Sequence, residues 1–255
     1  YVLSLRKIGT LDMLSDFEQA LKEARQAYIY HENDARLELL LAYFSARNGD
    51  LILAKSMLNK VKAKRVEHHL VDSIEGEIAL IEKRYPDTKN ALTKLYQKKP
   101  TDINAISLAR ALKFSGQLNE AEHLLEEHLI KNPTSIKIRF LLAQLYPDKN
   151  RDKKIVQYLA LVEALPNNVV FLNNLAWNQY KSGQTEQALM HIEHAFEIDP
   201  KSTAIQESYG HILVANNKLE QGVKLLNQAI SSGSKSSETA SLLTQTLLLI
   251  EQSKK

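Results

Sequence analysis

The residues best suited to chemistry in this chain of 255 amino acids are its histidines and its many carboxylates. His191 and His194 are three residues apart, a spacing that can present two imidazoles on one face of a helix to a metal ion. No third ligand follows nearby in the sequence, so an ordinary surface helix explains the pair better. Nothing singles out two carboxylates for acid–base catalysis. We predict no metal site and no cofactor.

Motifs for catalysis are missing from the sequence. There is no G-x-G-x-x-G or G-x-x-x-x-G-K-[ST] phosphate loop, no G-x-S-x-G nucleophile elbow and no H-E-x-x-H zinc motif. Gly233–Ser236 has only the end of a phosphate loop, and a flexible connector explains it. The chain contains no cysteine, which excludes thiol nucleophiles, thiolate metal ligands and disulfides. The sequence therefore predicts a protein that is not an enzyme.

Composition and charge carry no signature of nucleic acid or membrane. Hydrophobic residues make up 44% of the chain and charged residues 25%, which is ordinary for a globular protein. The formal net charge is only +3, with acids and bases interspersed, too mild to predict nucleic acid binding. No apolar run, such as Leu247–Ile250, is long enough to span a membrane. Because the sequence begins at Tyr1 without a methionine or signal segment, we expect a piece of a longer protein.

The elements that must position any site follow from a fixed period. Proline occurs at positions 100, 133, 166 and 200, in steps of 33, 33 and 34 residues, and a period of this size indicates a helical repeat. Small residues, which let two helices cross closely, recur at two places of the period: Ala42 and Ala54, Ala109 and Ala121, Ala176 and Ala188, Gly210 and Gly222. Glycine recurs where a first helix should end in a left-handed residue: Gly49, Gly116 and Gly183.

This pattern resembles the tetratricopeptide repeat (TPR), whose signature runs W-x2-L-G-x2-Y, then A-x3-F, then P. The resemblance covers nearly the whole chain. It implies an all-α fold, a right-handed α-solenoid of about seven helix–turn–helix units that forms one superhelix over residues 1–255. The units are expected near 1–34, 35–68, 69–101, 102–135, 136–168, 169–202 and 203–236, with a capping helix at 237–251.

Three units depart from the signature. The first keeps only its second helix convincingly, so its first helix is expected to be frayed or cut short. The third has Tyr85 and Pro86 where the turn should lie, and its first helix fits two registers. The fifth has Pro147 in the turn and a large residue, Lys154 or Ile155, where a small one belongs.

The resemblance also implies a binding surface. In similar proteins, ligands usually lie on the concave face, at positions two, five, nine, twelve and thirteen of each unit. Carried onto the units of secure register, these positions predict a partner-binding groove: Arg36, Tyr43, Arg47, Arg110, Lys113, Phe114, Phe140, Gln144, Asn173, Trp177, Tyr180, Lys181 and His211. Almost no acid is expected to line it. Cations and aromatics suit an extended peptide or another acidic polymer. The other interpretation is that the aromatics fill gaps between units and the cations are solvated.

A narrower resemblance covers two units. Phe171–Trp177, Tyr209–Val214 and Leu219–Gly222 are similar to bacterial envelope TPR lipoproteins of exopolysaccharide-export and exosortase systems. This would imply the periplasm or an outer-membrane anchor; without it, a cytoplasmic location is expected.

We therefore expect a non-catalytic scaffold that binds a peptide or protein partner in its concave groove, within a bacterial envelope export or assembly complex. Two alternatives stay open. One is a nucleic-acid-binding helical repeat, although pentatricopeptide-type readers use 35-residue units and the steps here are 33 to 34. The other is the TPR module of an enzyme whose catalytic domain lies outside this chain.

Overall fold

The computed structural model describes residues 2–13, 16–66, 68–82 and 85–253. Over these residues the chain forms fifteen α-helices, one 3₁₀ turn (Asp148–Asn150) and no β-strand. The helices are α1 (Val2–Met13), α2 (Phe17–Tyr30), α3 (Ala35–Arg47), α4 (Leu51–Ala63), α5 (His69–Ile81), α6 (Tyr85–Lys98), α7 (Asp102–Phe114), α8 (Leu118–Lys131), α9 (Ile136–Leu145), α10 (Arg151–Ala164), α11 (Val169–Lys181), α12 (Thr185–Ile198), α13 (Thr203–Ala215), α14 (Leu219–Ser231) and α15 (Ser237–Ser253). The all-α fold class predicted from the sequence is confirmed.

The chain divides into two compact bodies, which we call the N-terminal body (Tyr1–Leu141) and the C-terminal body (Leu142–Lys255). Odd-numbered helices up to α13 are the first helices of successive pairs, and even-numbered helices are the second helices. In the N-terminal body the core includes Leu41, Phe44 and Ile74. In the C-terminal body Leu172, Ile192 and Ile212 form a second core.

Side chains just before several helices fix where those helices begin. Asp34 accepts hydrogen bonds from the backbone N–H groups of Arg36 and Leu37, and Asn168 does the same at the start of α11. These are N-caps, which satisfy backbone donors that have no partner inside the helix. Two first helices of the repeat therefore begin at positions that the sequence itself specifies.

The predicted turns are confirmed by backbone geometry. Gly49, Gly116 and Gly183 have φ values of +81°, +76° and +80°, the left-handed conformation that glycine adopts without steric cost. Asn217, at the same place of the next pair, has φ of +59°, which asparagine tolerates better than most residues. The first helices of these four pairs thus end in the same way.

The predicted helix crossings are also confirmed. All eight small residues at the crossings are buried. A Cβ atom on Gly210 would lie 2.6 Å from Leu226 Cδ2, and one on Gly222 would lie 2.6 Å from Val214 Cγ2. Both distances are too short for real carbon contacts, so α13 and α14 approach each other as closely as only glycine allows.

The departing units differ from expectation in two places. The expectation of a frayed first helix was wrong, because α1 is a continuous helix that buries Ile8. Tyr85 begins α6 instead of lying in the turn, and the turn residues 83–84 lie outside the described residues. Pro147 precedes a 3₁₀ turn, after which Ile155 on α10 is buried.

Candidate binding surface on the first helices

One position of the repeat runs along the first helices. Its residues follow each other at steps of 34, 33, 34, 33 and 34: Tyr43, Glu77, Arg110, Gln144, Trp177 and His211. The first three lie in the N-terminal body and the last three in the C-terminal body. The two sets have different surroundings and are described separately.

In the N-terminal body, Glu77 joins two arginines. Arg47 Nη1 donates to Glu77 Oε1 at 2.9 Å, and Arg110 Nη2 lies 3.1 Å from Glu77 Oε2. The Glu77 side chain is fully buried, while those of Arg47 and Arg110 are 6% and 20% exposed. Burial lowers the pKa of Arg110 from its ordinary value, and the nearby Arg47 guanidinium acts in the same direction. We call Arg47, Glu77 and Arg110 the ion triad.

Two aromatic rings pack against Arg47 of the ion triad. The Arg47 guanidinium lies 4.4 Å from the centroid of the Phe17 ring and 5.7 Å from that of Tyr43. Tyr43 also packs edge-on against Phe44, with centroids 5.1 Å apart. Burial raises the pKa of Tyr43 to about 12. The side chains of Tyr43 and Arg47 are therefore parts of the packed interior.

The N-terminal body contains a second acid that pairs with a cation of the first helices. Asp12 on α1 forms an ion pair with Lys137 on α9, two residues that are 125 positions apart in the sequence. Together with Glu77, Asp12 shows that the expectation of almost no acid was wrong for the N-terminal body. Its central cations are largely neutralised by carboxylates of the same chain.

The other predicted residues of the N-terminal body differ in burial. Arg36 is exposed near the start of α3. Lys113 and Phe114 end α7 and are exposed, Phe114 to 54%. Phe140 on α9 is buried. Three of these residues are thus exposed and one is buried.

In the C-terminal body, three rings and one lysine form a compact group that we call the aromatic cluster. The Trp177 ring lies 5.4 Å from both the Tyr180 and His211 rings, centroid to centroid. Lys181 Nζ lies 4.7 Å from the Trp177 centroid and 5.3 Å from the Tyr180 centroid, within the range of cation–π attraction. Trp177, Tyr180 and Lys181 are each partly exposed.

His211 links the aromatic cluster to α15. Its imidazole is buried, and Nε2 lies 3.0 Å from Thr239 Oγ1 on α15. The Thr239 hydroxyl donates its single proton to Glu207, so we assign His211 Nε2–H as the donor to Thr239. Burial lowers the pKa of His211, which favours the neutral ring at neutral pH.

An open cavity of about 580 Å³ borders the aromatic cluster, and we call it the basic pocket. Such a volume is typical of ligand sites. Trp177 supplies part of its wall, and Gln144, Asn174 and Asn178 contribute amide groups. Its charged wall residues come from the 3₁₀ turn and three helices: Asp148, Arg151, Lys154, Lys181 and Glu238.

Carboxylates at the mouth of the basic pocket pair with two of its cations. Lys154 Nζ donates to Asp148 at 2.6 Å, and Lys181 forms an ion pair with Glu238. Hydrogen bonds from these lysines lower the pKa of Asp148 and of Glu238. The third cation, Arg151, donates to the backbone carbonyl of Lys181 at 3.3 Å. Three cations thus face two exposed acids, and the pocket keeps a net positive charge.

Asn173, the remaining predicted residue, is partly buried on α11. Its Oδ1 atom is buried and has no hydrogen-bond partner among the described residues. The structure places it outside the wall of the basic pocket.

Comparison with known families decides the assignment of the fold. A profile of the tetratricopeptide repeat matches residues 79–145 and 158–246, more than half of the chain. The chain belongs to the tetratricopeptide repeat family. TPR folds generally serve as non-catalytic scaffolds for protein interaction, which agrees with the predicted class of function.

Solved structures of similar fold are TPR proteins of low sequence identity. The Cut9–Hcn1 hetero-tetramer of APC/C matches with a TM-score of 0.64 at 14% identity, over 96% of this chain and 49% of that one, so the chain spans about half the length of this relative. A TPR protein from Parabacteroides merdae matches with a TM-score of 0.50 at 17% identity, over 97% and 98% of the two chains. MamA from Desulfovibrio magneticus RS-1 matches with a TM-score of 0.57 at 13% identity, over 66% and 97%. These likenesses concern the fold alone, and no curated protein matches the sequence.

The described ranges of this TPR chain lack two other kinds of feature. They contain no group of three or more His, Cys, Asp or Glu side chains able to hold a metal ion. None of their helices combines the length and the apolar character that crossing a membrane requires.

Sequence reasoning named Trp177, Lys181 and Gln144 but missed part of each site. Arg151 and Lys154 lie on a second helix and Glu238 on α15, where the TPR resemblance assigns no ligand role. Glu77 escaped notice because the register of the third repeat was ambiguous. Its signal was nevertheless present, since Glu77 stands 34 residues after Tyr43 and 33 before Arg110.

Proposed function

We propose that this TPR chain is a non-catalytic scaffold that binds an acidic peptide or protein partner on the first-helix face of its C-terminal body. The observation that carries the proposal is the basic pocket, where a partly exposed tryptophan stands beside Lys181 and a cavity of about 580 Å³. Tryptophan, tyrosine and arginine are the most frequent anchors of protein interfaces. The pocket therefore offers both an aromatic anchor and partners for carboxylates.

The contrast between the two bodies supports this choice of surface. In the N-terminal body, Arg47 and Arg110 are engaged by the buried Glu77, and Lys137 is engaged by Asp12. A partner carboxylate would have to displace a fully desolvated acid there, which is costly. In the C-terminal body the competing acids, Asp148 and Glu238, are exposed, so a partner can replace them at little cost.

We further propose that the partner belongs to a bacterial envelope export or assembly complex. The support for this is the sequence similarity of Phe171–Trp177 and Tyr209–Val214 to envelope TPR lipoproteins. The first of these segments carries Trp177, and the second carries His211. The proposal thus rests on the stretches of chain that build the aromatic cluster.

Affinity capture from the native organism tests the function. The whole chain, its Trp177→Ala variant and a Tyr30→Ala control are immobilised in parallel. Tyr30 is an exposed aromatic residue at the end of α2, a second helix of the N-terminal body. We expect the wild type and the control to retain the same partner and Trp177→Ala to lose it, with unchanged helical circular dichroism. Equal capture by all three proteins would refute the proposed surface.

A further inference from the structure

We infer that Glu238, in the first turn of α15, is an internal competitor for the basic pocket and holds the place at Lys181 that a carboxylate of the partner takes on binding. This inference rests on the proposed function. It adds the chemical group that the pocket binds and the residue of the chain that sets the affinity for it.

The position of Lys181 defines where a carboxylate of the partner would bind. Its ammonium group lies over the rings of Trp177 and Tyr180 and forms an ion pair with Glu238. An ammonium has three donors, and the same group lines the cavity. A second carboxylate entering the basic pocket would therefore meet a lysine that is already oriented by two aromatic rings.

Contacts of Thr239 hold α15 in place, whereas the side chain of the neighbouring Glu238 is exposed. The neighbouring Thr239 is buried, contacts His211 at 3.0 Å and donates to Glu207. The Glu238 side chain, by contrast, is 57% exposed. Rotation of this side chain can therefore release Lys181 to a ligand while α15 stays in place.

The same arrangement occurs at a second cation. Lys154 is paired with Asp148, whose side chain is 79% exposed. Asp148 and Glu238 are thus both exposed to solvent, and each forms an ion pair with a lysine that lines the pocket. Exposed ion pairs of this kind contribute little free energy, so each internal acid should weaken the binding of a carboxylate ligand by about two- to fivefold.

Intrinsic fluorescence provides a direct assay, because Trp177 is the single tryptophan of the chain and lines the pocket. The probes are an acetylated and amidated tetraglutamate, the same peptide made of glutamine, and an acetylated tetraglutamine with a free terminal carboxylate. We expect a saturable change of Trp177 fluorescence with tetraglutamate and none with the fully neutral peptide. The third probe distinguishes a terminal carboxylate from side-chain carboxylates as the bound group.

Variants test the role of Glu238 itself. Glu238→Gln should bind tetraglutamate about two- to fivefold more tightly, and Lys181→Ala about tenfold more weakly because a charge-assisted hydrogen bond is lost. Glu251→Gln is the matched control, since Glu251 is an exposed acid on the same helix outside the pocket wall. It changes the net charge equally and should leave the affinity within about twofold of the wild type.

Unchanged or weaker binding by Glu238→Gln would overturn the inference, as would equal responses to tetraglutamate and neutral tetraglutamine. The failure of this inference is distinguishable from the failure of the proposed function. If Trp177→Ala loses the natural partner while tetraglutamate leaves the fluorescence unchanged, the scaffold function stands and the carboxylate competition falls. If Trp177→Ala still captures the partner, the proposed surface falls as well.

Discussion

Replacing Glu77 with alanine should destabilise the N-terminal body, because it leaves two guanidinium groups facing each other in the interior. The Arg47 and Arg110 side chains are only 6% and 20% exposed. Removing one partner of a buried ion pair typically costs about 3–5 kcal/mol. Arg110 retains some access to water, so we expect a loss of about 3 kcal/mol in the free energy of unfolding.

A matched control lies on the same helix. Glu75 pairs with Lys62 at the surface, with side chains 46% and 47% exposed, and surface pairs contribute about 0–1 kcal/mol. Glu75→Ala should therefore cost less than about 1 kcal/mol. Urea unfolding followed by far-ultraviolet circular dichroism measures both variants, with separate transitions fitted if the two bodies unfold independently.

A third variant separates charge from volume. Glu77→Gln keeps the size of the side chain and removes only its charge, so it should lose nearly as much stability as Glu77→Ala. If Glu77→Ala cost no more than Glu75→Ala, the reasoning that Glu77 is the buried counter-ion of both arginines would be refuted.

Three further predictions concern packing, turn geometry and pH. Ala188→Leu should cost about 1–3 kcal/mol in urea unfolding by overpacking a fully buried crossing; the exposed Gln187→Leu is its control, and a neutral Ala188→Leu would contradict the crossing. Gly183→Ala should cost about 1–2 kcal/mol because φ is +80°, and equal stability would contradict the left-handed turn. Burial lowers the pKa of His211 below its ordinary 6.5, so the unfolded chain binds this proton more readily than the folded chain does. The free energy of unfolding therefore decreases as the pH falls from the ordinary pKa through the lowered one. His211→Gln should flatten this decline in unfolding free energy between about pH 7 and 5, and an unchanged slope would argue against it.

Much of the fold could be predicted because its local rules repeat. Steric demands at the helix crossings select alanine or glycine, as at Ala176 and Ala188, and left-handed turns select glycine, as at Gly183. Residues that meet both demands recur at fixed spacings, so they can be recognised in the sequence without any knowledge of tertiary contacts. The arrangement of all seven predicted units in one superhelix stays a prediction.

The charge pattern of the candidate surface could not be predicted in the same way. Whether a groove cation is neutralised depends on where long side chains from distant segments end, as with Asp12 and Lys137, 125 residues apart. Glu77 was hidden by the ambiguous register of its repeat, and Glu238 by its position on a helix outside the repeat pattern. Periodicity specifies which face a residue occupies but not which charge it meets there.

The most direct test of the central claim is a calorimetric titration of the captured partner into the whole chain and its Trp177→Ala variant. Interface anchors of this kind contribute at least about 2 kcal/mol, which corresponds to about thirtyfold in affinity. We predict that Trp177→Ala weakens partner binding by that factor or more while Tyr30→Ala binds like the wild type. Binding of Trp177→Ala within about twofold of the wild type would contradict a partner site at the basic pocket.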